Sequence, residues 1–349
     1  MNRHERRRAD GPGRAGVTAE PRRRRFRRLV APALLGAAAR LAAAVCFGFV
    51  LFRVLPGDPV LAVTAGRPVT SEELAARRHE LGLDRPLSAQ FAAYVWDLLH
   101  GRLGESYVYR RPVTELLAER LWPTLLLAGT AAVLAVGIGL GCGLLAGWRP
   151  GGSFDRVSTG AALVLWATPT AWLGLLLLLL LGAGGGDLPG RLPTGGMRSI
   201  PPPEGALAAV VDVARHLVLP CLTLVAVQFG QYHLLLRSSV IAEAGRQHVT
   251  VARATGLRDA VLRRRHVLPH AALPAATQAA VGIGFVVSGA VAVEAVFSWP
   301  GLGYLAYEAV AVPDLPVLQG TFLLLCAGVI GAAAVADLLR LRFDPRAGA

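Results

Sequence analysis

The chain has 349 residues, 54% of them hydrophobic, with a mean hydropathy of +0.49 and a formal net charge of +13. Joined to several apolar runs of bilayer-spanning length, these values exclude an ordinary soluble domain. All 36 Lys-or-Arg positions are Arg, so the chain lacks both the lysine of a Walker A phosphate loop and a side-chain amine for a Schiff base.

The first 33 residues carry Arg3, Arg6, Arg7, Arg8, Arg14, Arg22 to Arg25, Arg27 and Arg28 against only Glu5, Asp10 and Glu20. The positive-inside rule places this tail in the cytoplasm, where anionic lipid attracts it. Arg runs without interleaved aromatics are weak evidence for nucleic acid, and no nucleic-acid partner is expected. Arg23-Arg24-Arg25-Phe26 resembles a twin-Arg signal, but no small-residue cleavage site follows its apolar run.

Six apolar runs predict membrane helices, near 34–55, 122–148, 157–182, 216–236, 272–296 and 316–336. Arg40 lies inside the first; a span starting near Ala37 puts it in the first turn, free to snorkel. The 56–121 segment then lies outside the cytoplasm. In it, Ser71 is the expected N-cap of a helix that Gly82 ends. A second amphipathic helix, about Ser88 to Leu99, presents Phe91, Val95, Leu98 and Leu99 for packing on the bundle.

The second span carries Gly137, Gly139, Gly141, Gly143 and Gly147, a small-residue pattern for close helix contact. Pro169 is expected to kink the third, with Thr168 or Thr170 satisfying the freed carbonyl. Glycines 182 and 184 to 186 end that span, and Pro201-Pro202-Pro203 marks an extended connector. The four cysteines fall in separate apolar runs and read as small buried hydrophobes.

Gln228 and Gln231 lie one turn apart in the fourth span, and Gln278 and Glu294 lie in the fifth. Polar groups at this depth face a hydrated pathway or bond between helices. His233, His266 and His270 are not expected to form a metal site with other ligands.

Between these spans lies a basic loop, 237–271. Residues 239–258 read as helix, Gly256 permits a change of direction, and a second basic helix begins near Asp259. Pro269 is expected to end that helix and Pro274 to bend the approach to the fifth span. Ala252 and Ala254 leave low relief, and the arginines offer donors to an acidic partner. Arg content puts this loop, the 149–156 loop and the C-terminus inside and the Arg-free 297–315 loop outside; the alternation of spans puts 183–215 outside too, with Arg191, Arg198 and Arg215 dissenting.

The core Ala252-Arg253-Ala254-x-Gly256, followed by Leu268-Pro269, resembles the EAA loop of ABC-importer permeases. Thr250-Val251-Ala252 stands where the general pattern begins Glu-Ala-Ala. Leu55-Pro56-Gly57-Asp58-Pro59, the run Glu80-Leu81-Gly82-Leu83-Asp84-Arg85-Pro86-Leu87, Phe297-Ser298-Trp299-Pro300-Gly301-Leu302-Gly303, Asp314 to Gly320, and Asp344-Pro345-Arg346 are similar to further segments of the DppB/OppB-like permeases of peptide and nickel ABC importers.

The resemblance implies an all-α integral-membrane type I importer fold (MetI-like) of six spans, with no enzymatic activity of its own. The apolar runs and the charge pattern divide the chain into a basic tail (1–33), which lies outside the resemblance, a first span (34–55), an extracytoplasmic segment (56–121), a five-helix core (122–340) and a C-terminal tail (341–349). The resemblance also implies a homologous second permease, two ATPase subunits that bind the ATP and Mg, and an extracytoplasmic solute-binding protein. Ala252, Arg253, Ala254, Gly256, Leu268 and Pro269 would couple to the ATPase. Gln228, Gln231, Gln278 and Glu294 would border the pathway. Peptide is the implied cargo, with nickel chelate or glutathione as alternatives; an integral-membrane enzyme would need a catalytic cluster that the spans do not supply.

Overall fold

The computed structural model describes residues 22–54, 70–80, 84–182 and 192–343, and among them every regular element is a helix. The expectations for the tail before residue 22, for Leu55 to Pro59, for Gly82, for Gly184 to Gly186 and for Asp344 to Arg346 lie outside the described residues.

Helix α1 (Arg22–Val54) starts well before the predicted first span. Arg40 lies about five turns into the helix but near the start of its apolar stretch, Leu34–Phe52; its Nε donates to the Gly36 carbonyl at 3.0 Å, back along the same helix. Helix α2 (Ser71–Glu80) is capped by Thr70 rather than Ser71. Thr70 Oγ1 accepts from Glu73 N, and Glu73 Oε2 accepts from Thr70 N, each at 3.3 Å, a reciprocal capping box. Helix α3 (Leu87–Leu99) packs on α1 through rings: Phe91 and Tyr94 lie 5.2 and 5.6 Å from Phe49. Phe91, Val95 and Leu98 are half-buried as expected, whereas Leu99, the last residue, is exposed.

Helix α4 (Val113–Trp148) has 36 residues, and the third predicted span follows as two helices, α5 (Ser153–Ala167) and α6 (Thr170–Leu181). They meet at 108°, a break rather than a kink. Pro169 has no amide hydrogen and drives its predecessor into extended backbone, seen at Thr168 with φ −80° and ψ 129°. Thr168 Oγ1 donates to the Val164 carbonyl at 2.7 Å, the predicted compensation.

Helix α7 (Ala206–Ala244) has 39 residues, far more than its predicted span. At about 1.5 Å per residue, α4 and α7 reach roughly 54 and 58 Å, well beyond a hydrocarbon core of about 30 Å. The chain continues through α8 (Gln247–Ala254), a single turn α9 (Asp259–Val261), a π-helical turn (Leu262–Val267), α10 (Leu268–Val296), α11 (Leu302–Ala311) and α12 (Leu315–Phe343). Four described helices are long and apolar enough to cross a membrane, and the bent α5–α6 pair makes a fifth candidate.

The bundle is organised around α4 and α7, which share its most extensive contact. A Cβ added at Gly139 would stand 2.7 Å from Tyr232 Cβ, at Gly143 2.6 Å from the His233 carbonyl oxygen, and at Gly147 2.7 Å from that of Arg237. Gly137 and Gly141 have open space beside them. Of the five predicted contact glycines, three spaced four apart form the seam and two face away from it. Above it, Leu127, Ala131 and Ala135 pack with Leu219, Leu224, Val293, Phe297 and Trp299 in one buried cluster. The four cysteines are free; Cys221 is buried, but Cys46 on α1 is exposed.

Candidate functional site

The basic loop is a short helix held on one side and bare on the other. Gly245 closes α7, and α8 runs from Gln247 to Ala254. Val249 is fully buried in a cluster with Leu236, Val240, Leu262, Val267, Ala271 and Ala275, and Ala252 packs against its edge. Around and beyond Ala252 the surface turns outward: Val251, Arg253, Ala254, Thr255, Gly256 and Leu257 are all exposed.

The turn after α8 depends on Gly256. Its φ is +82°, in the left-handed region that costs an L side chain strain. Gly256 N donates to the Arg253 carbonyl at 3.1 Å, Thr255 N to that of Val251 at 3.1 Å, and Thr255 Oγ1 to that of Ala252 at 2.9 Å. These bonds satisfy carbonyls that a helix end otherwise leaves open. A Cβ at Gly256 would meet nothing within 4 Å, so the constraint is torsional and not steric.

Two sequence expectations fail here. The segment 239–258 is not one helix, since Gly245 and Arg246 separate α7 from α8. Nor does Pro269 end a helix: helical backbone passes through it, and its missing amide hydrogen leaves a carbonyl of the preceding turn without an in-helix donor. Helical backbone instead runs unbroken from Asp259 to Val296, with the π-helical turn absorbing one extra residue where Arg263, Arg264 and Arg265 lie. Leu268 is half-buried and Pro269 exposed.

The polar residues of the spans separate. Gln228, Gln231 and Gln278 are half-buried. Glu294 is fully buried and bonded: Thr124 Oγ1 donates to Oε1 at 2.7 Å, and Gly303 N and Tyr304 N donate to Oε2 at 2.6 and 3.2 Å. Trp299, also fully buried, donates from Nε1 to the Pro123 carbonyl at 2.9 Å. A carbonyl oxygen has two lone pairs and can accept this bond in addition to one within α4. A Cβ on Gly303 would come within 3.0 Å of Glu294 Oε2 and closer still to the Val291 backbone, so the Trp-Pro-Gly-Leu-Gly turn needs its glycines for contact with this carboxylate.

Sequence reasoning missed a second buried polar group. Arg237 Nε and Nη2 reach Asp155 Oδ1 and Oδ2 at 2.5 and 2.9 Å, a two-pronged pair joining α7 to α5. Gly151 N and Thr159 Oγ1 also donate to Asp155, at 2.8 and 3.1 Å. The available signal was an acid and a base at the ends of neighbouring predicted spans, where an unpaired charge is expensive.

Residues 139–348 match the family of binding-protein-dependent transport system inner membrane components, and residues 26–128 match the N-terminal region of such components. The chain belongs to this family. Every residue of the basic loop falls inside the longer match.

Among the family's curated members, the dipeptide transport system permease protein DppB of Escherichia coli K12 is 32% identical over 311 residues, covering 85% of this chain and 92% of that protein. The glutathione transport system permease protein GsiC of Salmonella choleraesuis is 34% identical over 313 residues, covering 89% and 96%. The solved MetNI methionine ABC transporter, in its inward-facing conformations, aligns with a TM-score of 0.49 and 20% identity over 66% of this chain and 96% of that chain. As a family member the chain is an inner-membrane transport component, and its long apolar helices are those of a membrane protein.

Proposed function

We propose that the chain is the permease subunit of an ATP-driven peptide importer, worked from the cytoplasm through the exposed face of α8 and the Gly256 turn. The observation that carries this reading is the two-sided loop. Val249 fixes α8 to the bundle, while Arg253, Ala254 and Gly256 stand free on the other side. A segment built so can pass a push from a docked subunit into the ends of α7 and α10. Half-buried Ala252 and Leu268 form its inner edge, with Pro269 exposed beside them.

In this reading six spans cross the membrane, the third being the α5–α6 pair and the fifth α10. Both termini are cytoplasmic, and residues 56–121 lie outside. The chain works with a second permease, two ATPase subunits that hold ATP and Mg, and an extracytoplasmic solute-binding protein. It performs no hydrolysis itself, consistent with the absence of Lys. Gln228, Gln231 and Gln278 border the pathway. Glu294, for all its membrane depth, supports the adjoining turn. The named dipeptide and glutathione permeases support a cargo with peptide backbone; glutathione is itself a modified tripeptide.

The test is co-purification and uptake. Gly256→Trp should leave membrane insertion intact while abolishing both ATPase assembly and peptide uptake. Normal uptake by that variant, or labelling of an Ala254→Cys variant from the outer compartment, would overturn the reading. Binding of dipeptides by the neighbouring solute-binding protein tests the cargo separately.

A further inference from the structure

Three potential metal ligands from three different elements meet at the base of the basic loop. Glu243 lies in the last turn of α7, His248 in the first turn of α8 and His270 in the first turn of α10. One ligand atom from each lies within 4.8 Å of the other two. The His248 and His270 rings are 5.9 Å apart and nearly perpendicular, at 74°. The sequence pattern does not reveal this grouping, because it sets His270 beside His233 and His266; His233 is buried against Thr159 instead, at 3.3 Å.

We infer that Glu243, His248 and His270 form a binding site for a divalent transition metal of the zinc class, joining α8 to the helices before and after it. Two imidazoles and a carboxylate are a borderline nitrogen and oxygen set of the kind zinc accepts. The carboxylate is buried and already oriented: Arg246 Nε holds Oε2 at 3.0 Å. The other oxygen, Oε1, stands 3.5 Å from His248 Nε2. That is beyond a normal hydrogen bond of about 2.7–3.2 Å, and close to the separation of about 3.4 Å between two ligands on a tetrahedral ion with bonds near 2.0–2.1 Å. The Arg246 contact resembles the outer-shell bonds that orient carboxylate ligands. Both imidazoles are exposed, so small rotations can close the remaining gap, and a fourth position stays open to water.

The site does not depend on the coupling proposal, since it is read from ion binding alone. The full-length, untagged chain in lipid nanodiscs would be stripped with chelator and titrated with Zn²⁺ against a chromophoric competitor at about pH 7.5. The expected result is one ion per chain, with His248→Ala and His270→Ala each weakening binding at least tenfold. His266→Ala, on the same loop but outside the cluster, should bind as the parent does. Co²⁺ should give a ligand-field spectrum without a thiolate charge-transfer band, which separates this site from the cysteines. The inference is overturned if the parent chain binds no ion, if either His248→Ala or His270→Ala binds as tightly as the parent, if His266→Ala loses binding as they do, or if the thiolate band appears.

Discussion

Thr124 and Glu294 are joined by a buried hydrogen bond of 2.7 Å that fastens the early part of α4 to the end of α10. The same Thr124 hydroxyl oxygen accepts Leu302 N at 2.8 Å, so one side chain serves both the carboxylate and the turn beyond it. A carboxylate taken out of water is costly unless its oxygens are bonded, and here both are. Thr124→Val should cost about 1–3 kcal/mol by stranding these partners, read as a lower unfolding midpoint of the purified chain. Paired with Glu294→Gln, the losses should fall short of additive by about 0.5 kcal/mol or more. Additive losses would mean that the two act separately.

The glycine seam makes a sharp contrast between neighbours. Gly143→Ala places a methyl against the His233 carbonyl and should destabilise by about 1–3 kcal/mol through overpacking. Gly141→Ala enters open space and should be neutral or slightly stabilising, as alanine favours helix. Thermal unfolding of the two variants checks this; equal effects would refute the seam.

At Gly256 the constraint is torsional, so replacement should sort by tolerance of positive φ. Gly256→Asn should keep most uptake and assembly, while Gly256→Val should lose both, because a β-branched residue resists the left-handed region. Uptake by reconstituted transporter is the measurement. A valine variant as active as the asparagine variant would show that the turn need not hold its shape.

Removing Asp155 leaves the Arg237 guanidinium partly buried without its carboxylate. Asp155→Asn should therefore destabilise more than Asp155→Asn combined with Arg237→Leu, because stranding one member of a buried pair costs more than removing both. Comparing midpoints of the single and double variants decides it.

Burial pushes the Tyr94 phenol on α3 up to about 12, and its hydroxyl has no hydrogen-bond partner among the described residues. The raised value favours the neutral phenol in the folded state. Its contribution is thus fully present below the unfolded value of about 10 and is lost as pH rises toward 12. Absorbance in the tyrosinate band should show one tyrosine ionising late, and Tyr94→Phe should remove that step without loss of stability at neutral pH.

Much of the bundle was legible because membrane helices are written in one variable, apolar length, and because glycine spacing marks helix contact. Gly139, Gly143 and Gly147 could not be told from Gly137 and Gly141 without the partner, since which face of α4 meets α7 is set by packing. The basic loop was visible as charge plus a glycine, but its folding around Val249 was not. Burial of one valine in a loop leaves no periodic trace. Pro269 misled because proline usually marks a helix boundary, whereas here the π-helical turn just before it lets helical backbone run on through it. Asp155 with Arg237, and Glu243 and His248 with His270, are brought together by packing between separate helices, and such groupings have no local signature.

The close seat of α7 on α4 restricts what this bundle can do. With backbone against backbone at three successive turns, neither helix can slide or roll along the other without driving a side chain into a carbonyl. The two must travel as a single rigid beam. Any opening and closing of the bundle is then left to joints away from that beam: the sharp corner between α5 and α6, and the glycine-bounded elbow that precedes and follows α8.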